Sequence, residues 1–78
     1  MNTVYVSLNS IDKVKSFVNI VGKYSTDFDL VSGRYVIDAK SIMGIFSLDL
    51  SKPITLKIHE SNEINAILED LKPFLVEV

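Results

Sequence analysis

The sequence predicts an α+β fold. It is an open-faced β-sandwich in which a four-stranded antiparallel sheet is covered on one face by three helices, in the order β-α-β-β-α-β-α. Three observations carry that reading. Apolar residues alternate with polar ones over 3–8 and 54–59, the period of half-buried strands. They recur at helical spacing over 11–21 and 64–71. Glycine and proline fall outside all four stretches, where chain reversals are needed.

Val4, Val6 and Leu8 share one face of the first strand, with Tyr5 and Ser7 on the other. Asn9-Ser10 offers a helix N-cap, and Asp12 sits in the first turn, where a negative charge suits the helix dipole. Val14, Phe17, Val18 and Val21, with Ile11 one turn earlier, make the apolar stripe of a helix that Gly22 ends. Phe28 and Leu30 alternate with Asp27 and Asp29, Ser32-Gly33 is a turn dipeptide, and 34–38 returns, so 27–38 reads as a hairpin. Ser41 opens a short apolar helical piece over 41–48, and 49–53 punctuates the chain. Ile54, Leu56 and Ile58 alternate with Thr55, Lys57 and His59 in the fourth strand. Ser61 or Asn62 caps the last helix, whose buried stripe is Ile64, Ile67, Leu68 and Leu71. Pro73 stops it near Lys72. Strand content is too low for a barrel, and no internal repeat is present.

At 78 residues the chain reads as one domain over 1–78. Surface scaling gives a folded surface of about 4,700 Å², with roughly 60% of the unfolded surface buried. That suffices for a small core and leaves no room for a deep substrate cleft. Zero Cys and one His exclude a disulfide framework, the usual zinc modules and a His-rich metal site, so neither metal nor cofactor is expected. A net charge of −2, with Lys and Arg scattered singly, gives no nucleic-acid footprint. The apolar runs are too short to span a membrane, and no charged segment leads into an apolar one as in a secretory signal. The cytoplasm is the default compartment and a monomer the default state. No nucleophile–base pair or Gly-rich phosphate loop is visible, so an independent enzyme is not expected.

Residues 40–48 read Lys-Ser-Ile-Met-Gly-Ile-Phe-Ser-Leu. This block closely resembles the Lys-Ser-Ile-Met-Gly-(Val/Ile)-Met-Ser-Leu segment of HPr, the histidine-containing phosphocarrier of the bacterial sugar phosphotransferase system. Gly22-Lys23-Tyr24 and Asp27 also resemble the family's segment after its first helix, and the predicted element order is the family's order. The resemblance covers nearly the whole chain and implies the HPr-like fold.

The family carries a phosphoryl group on a histidine at the start of the first helix, within His-Ala-Arg-Pro. Counting back from Ser41 without gaps puts Ser10 at the His position, Asp12 at the Arg position and Lys13 at the Pro position; a two-residue gap would put Asp12 at the His position. Neither register supplies a His, and the chain's one His is His59. A phosphoserine ester at Ser10 would be a poor donor, so a shuttle would become a sink. A dianion about 5 Å from the Asp12 carboxylate is opposed by roughly 1.5–6 kcal/mol, which Lys13 offsets in part. The plain alternative is that Ser10 and Asp12 are only cap and first-turn residues. His59 falls on the polar phase at the end of its strand, as a solvated strand-end residue or, on the sharper reading, as relocated phosphocarrier chemistry.

The resemblance aligns Ser41 with the serine that HPr kinase/phosphorylase modifies in Gram-positive members. A helix N-terminus tolerates added negative charge, and an ordinary N-cap worth about 1 kcal/mol accounts for the same residue. Lys40, Ile42, Met43 and Phe46 lie where the family binds partners, with core filling as the competing account of the apolar ones. Asp49 stands where the family has Gly after Ser-Leu. This departure puts the turn geometry there in question and adds a negative charge. The reading is therefore an HPr-like regulatory or binding module of the phosphotransferase system that cannot carry phosphohistidine. Its implied partners are HPr kinase/phosphorylase or other regulatory proteins of that system. The alternatives are a working phosphocarrier with an unorthodox acceptor, and an unrelated interaction module on the same fold.

Overall fold

A computed structural model describes residues 2–77. Strand β1 is Asn2–Val6, β2 Phe28–Ser32, β3 Tyr35–Asp38, β4 Ile54–Ile58 and β5 Leu75–Val76. Helix α1 is Ile11–Val21, α2 Ile42–Ile45 and α3 Ile64–Leu71. The strands form one sheet in the order β3-β2-β4-β1-β5, with antiparallel pairing throughout.

Register follows from the two-residue period. Val6 lies opposite Ile54 and Val4 opposite Leu56. On the other side of β4, Leu30 lies opposite Leu56 and Phe28 opposite Ile58. A slip by one residue would turn all of these side chains to solvent, so burial holds the pairing in place. The helices close over this face with Val14, Phe17 and Val21 from α1, Ile45 from α2, and Ile67 and Leu71 from α3, all fully buried. Each such side chain contributes about 1.5–3 kcal/mol by leaving water. Phe17 meets Phe74 edge to face, with centroids 5.9 Å apart and planes at 83°. The accessible surface is 4854 Å², close to the scaling expectation.

The α+β fold and every predicted element are present, with four differences. The sheet has five strands instead of four. Pro73 ends α3 as expected, but the chain then makes a 3-10 turn over Lys72–Phe74, buries Phe74, and pairs Leu75 and Val76 with Val6 and Tyr5. Two residues carry no periodicity, which is why this strand was not foreseen. Helix α2 is one turn, Ile42–Ile45, shorter than the predicted 41–48. Neither Ser61 nor Asn62 is the N-cap of α3. Glu63 holds that position without a side-chain bond, and Ser61 Oγ accepts from Glu63 N one step earlier, at 3.0 Å. Ile11, expected on the α1 stripe, is 62% exposed, because the stripe meets the core only from Val14 onward.

Gly33 supplies the hairpin turn at φ +60°, a conformation that disfavours side chains with a Cβ. One hydrogen bond ties the helical layer together. Tyr24 Oη donates to Asp70 Oδ2 at 2.5 Å, joining the segment after α1 to α3. That bond, then burial and the charges of Asp70 and Glu63, push the Tyr24 phenol up to about 12.

Candidate functional site

Two serines head the first two helices. Ser10 is extended, with φ −149° and ψ 157°, and its Oγ accepts from Lys13 N at 3.1 Å. This satisfies one of the orphan donors of the first turn of α1. Asp12 lies exposed in that turn. Ser41 repeats the arrangement on α2: its Oγ accepts from Gly44 N at 3.3 Å and its carbonyl from Ile45 N at 3.1 Å. No acidic residue lies in the first turn of α2.

Gly44 has a packing reason. A Cβ there would come within 3.2 Å of Ser41 Oγ and 3.3 Å of Ile37 Cδ1, so its absence lets α2 sit close on β3 and keep the cap. Ile45 is the buried anchor, and Ile42 is half-buried against the core. Met43, by contrast, is 78% exposed and Phe46 42% exposed. The competing account of core filling thus holds in part for Ile42, but not for Met43 or Phe46. Helices α1 and α2 pack together. Exposed Ile11, adjoining the Ser10 cap, belongs to the same side of the molecule as the covering helices. It was not among the predicted contact residues, because helical phase alone put it inside.

Lys40, expected at the partner surface, is half-buried and bonded within the chain. Its Nζ donates to the Tyr24 carbonyl at 2.7 Å and sits 5.8 Å from the centre of the Phe28 ring. Its backbone N–H donates to Asp38 Oδ1 at 2.9 Å. The side chain therefore ties the approach to α2 onto the segment after α1. Asp49 also finds a local role. Its Oδ1 accepts from Ser51 N at 3.1 Å and Ser51 Oγ at 2.6 Å, an Asx turn that reverses the chain without glycine. Those two bonds hold the Asp49 carboxyl below its ordinary value of 3.8.

His59 lies just after β4. Its Nε2 is 2.8 Å from Asp29 Oδ2, and the backbone N–H of His59 donates to the Asp27 carbonyl at 3.1 Å. The side chain is half-exposed and partnered, not simply solvated. Asp29 went unnoticed as that partner because the β2–β4 pairing joins residues thirty positions apart. A shallow polar depression beside it, about 330 Å³, is lined by Asp27, His59, Glu60 and Glu63 among others. Among the described residues no group of three or more His, Cys, Asp or Glu is placed to hold a metal ion. No described helix is long and apolar enough to cross a membrane.

No family model matches the chain, and no curated protein matches it. Solved structures do. An HPr-C-His structure from Thermoanaerobacter tengcongensis is 24% identical with a TM-score of 0.76, covering 94% of this chain and 89% of that one. The phosphocarrier protein HPr of Bacillus anthracis is 27% identical with a TM-score of 0.70, covering 96% of this chain and 94% of that one. A histidine-containing phosphocarrier protein of Mycoplasma is 13% identical with a TM-score of 0.70, covering 92% and 86%. The order of elements, the one-sided helical cover and these three likenesses agree: the chain has an HPr-like fold.

Proposed function

We propose that the chain is a regulatory or binding module related to the sugar phosphotransferase system, which docks partners through the α2 face and does not carry phosphohistidine. One observation carries the reading. The cap of α1, where the resemblance places the carrier histidine, is Ser10 followed by Asp12, while the one imidazole in the chain is held by Asp29 at the end of β4. Phosphoryl transfer through this fold needs a nitrogen nucleophile and a cation to pair the phosphate. The head of α1 offers a hydroxyl in place of the nitrogen, and a carboxylate at Asp12 that opposes the nearby cation, Lys13. Neither a catalytic role nor a cofactor belongs to this reading.

Ser41 is the regulatory phosphosite of the proposal. Its hydroxyl is exposed, its neighbours Met43 and Phe46 are exposed and apolar, and the first turn of α2 holds no carboxylate to oppose added charge. Phosphorylation there places about two negative charges at the edge of an apolar docking surface and changes which partners it accepts. The partner contacts are Ile42, Met43 and Phe46, joined by Ile11. Lys40 flanks Ser41 at the edge of this surface. The modifying partner is an HPr kinase/phosphorylase.

Incubation with HPr kinase/phosphorylase and radiolabelled ATP tests this directly. The expected result is one acid-stable phosphate on Ser41, lost in Ser41→Ala and retained in Ser10→Ala. An unlabelled wild-type chain, beside a labelled HPr control, would remove the regulatory reading and leave the unrelated interaction module as the better account.

A further inference from the structure

The sheet face opposite the helices has a pattern that the docking reading does not use. The pairing register places Val36, Val31, Thr55, Tyr5 and Val76 in one row straight across all five strands. Val36 is 64% exposed and Tyr5 39% exposed. The adjacent row runs Asp38, Asp29, Lys57, Thr3. The open face thus carries an apolar row beside a charged row, with its carboxylates on β3 and β2 and its lysine on β4. The bond from His59 Nε2 to Asp29 Oδ2, at 2.8 Å, helps to hold that carboxylate on the open face.

We propose that this face is a weak homodimer interface, occupied by a second copy of the chain. A two-fold axis parallel to the strands and between β2 and β4 lays β2 of one copy on β4 of the other, and β3 on β1. Each Lys57 then faces the second copy's Asp29, and each Val36 faces the second copy's Tyr5. An axis through β4 would set lysine on lysine, and one through β2 would set Asp29 on Asp29. The charge pattern is therefore complementary to itself in the first arrangement, with the sheets stacked about 10 Å apart and nearly aligned. Four strands of this length bury on the order of 1,000 Å² in total, at the low end of specific interfaces, so association is concentration-dependent.

Sedimentation equilibrium of the full chain from about 1 µM to about 1 mM tests the proposal, that range spanning weak association for so small an interface. The expected result is monomer at the bottom of the range and dimer at the top. Lys57→Glu and Val36→Glu should each weaken association by about tenfold or more, since each puts a carboxylate on an apolar or acidic surface of the second copy. Val36 is 64% exposed and is not a core residue, so Val36→Glu keeps the test valid if Lys57→Glu, which also neighbours Asp29 in its own chain, fails to fold by circular dichroism. A wild-type monomer across the whole range overturns the proposal. So does a dimer that a folded Val36→Glu variant leaves unchanged.

Discussion

Ser10 and Ser41 have the same local geometry and different chemical prospects. Both are extended N-caps, and both accept a backbone N–H from three residues on, at 3.1 and 3.3 Å. Ser10 heads an eleven-residue helix with a carboxylate in its first turn; Ser41 heads a four-residue helix with none. Capping geometry alone therefore says little about function. The neighbours differ. Asp12 opposes added negative charge at the head of α1, offset in part by Lys13. The head of α2 has no carboxylate in its first turn and the exposed Met43 and Phe46 beside it, which on the proposed function is where a partner would read added charge.

The contrast can be broken from the inside of α2 first. Ile45 is fully buried and Met43 stands in solvent, two positions away. Ile45→Ala is expected to cost about 2–5 kcal/mol of unfolding free energy, as a large-to-small core change. Met43→Ala should stay within about 0.5 kcal/mol, as a surface change, while weakening docking. Urea unfolding of both variants checks this, and equal losses would mean that Met43 is a core residue after all. The caps come next. Ser10→Ala should cost about 1 kcal/mol, because an eleven-residue helix depends on its first turn. Ser41→Ala should cost less, about 0.5 kcal/mol, because α2 is held chiefly by Ile45 and by its fit on β3. The same unfolding series gives both values.

A smaller effect separates the helix tie from the caps. The fold raises the Tyr24 phenol from 10.0 to about 12, so it favours the neutral form. That contribution is complete below pH 10 and is lost as the pH rises toward 12, where the phenolate would face Asp70. Melting temperatures from pH 8 to pH 12 should therefore fall more steeply for the wild type than for Tyr24→Phe. The smallest effect belongs to Asp49. Its carboxyl is held below 3.8 by Ser51, so its contribution is present above that pH and lost as acid protonates it. Asp49→Asn should flatten a shallow slope of stability against pH in that acid range.

Alternation made the four long strands legible, and the helical stripe made α1 and α3 legible, because each feature repeats over a dozen residues or fewer along the chain. What was not legible depends on long-range pairing. The bond of His59 to Asp29 needs β2 beside β4. The role of Lys40 needs the Tyr24 carbonyl beneath it. The β5 strand needs Phe74 buried before Leu75 and Val76 meet β1. Ile11 shows the opposite failure: helical phase put it inward, but at the first turn no covering element reaches it. The residues of the candidate docking surface were legible only because the 40–48 block resembles a known segment, and exposure then separated Met43 and Phe46 from Ile45.

The central claim is that the head of α1 cannot accept a phosphoryl group for transfer. Incubation of the wild-type chain with Enzyme I and radiolabelled phosphoenolpyruvate, beside an HPr control, measures this most directly. The account predicts no acid-labile phosphate on this chain while HPr is labelled. An acid-labile phosphate that mapped to His59, or any transferable label near residue 10, would contradict it.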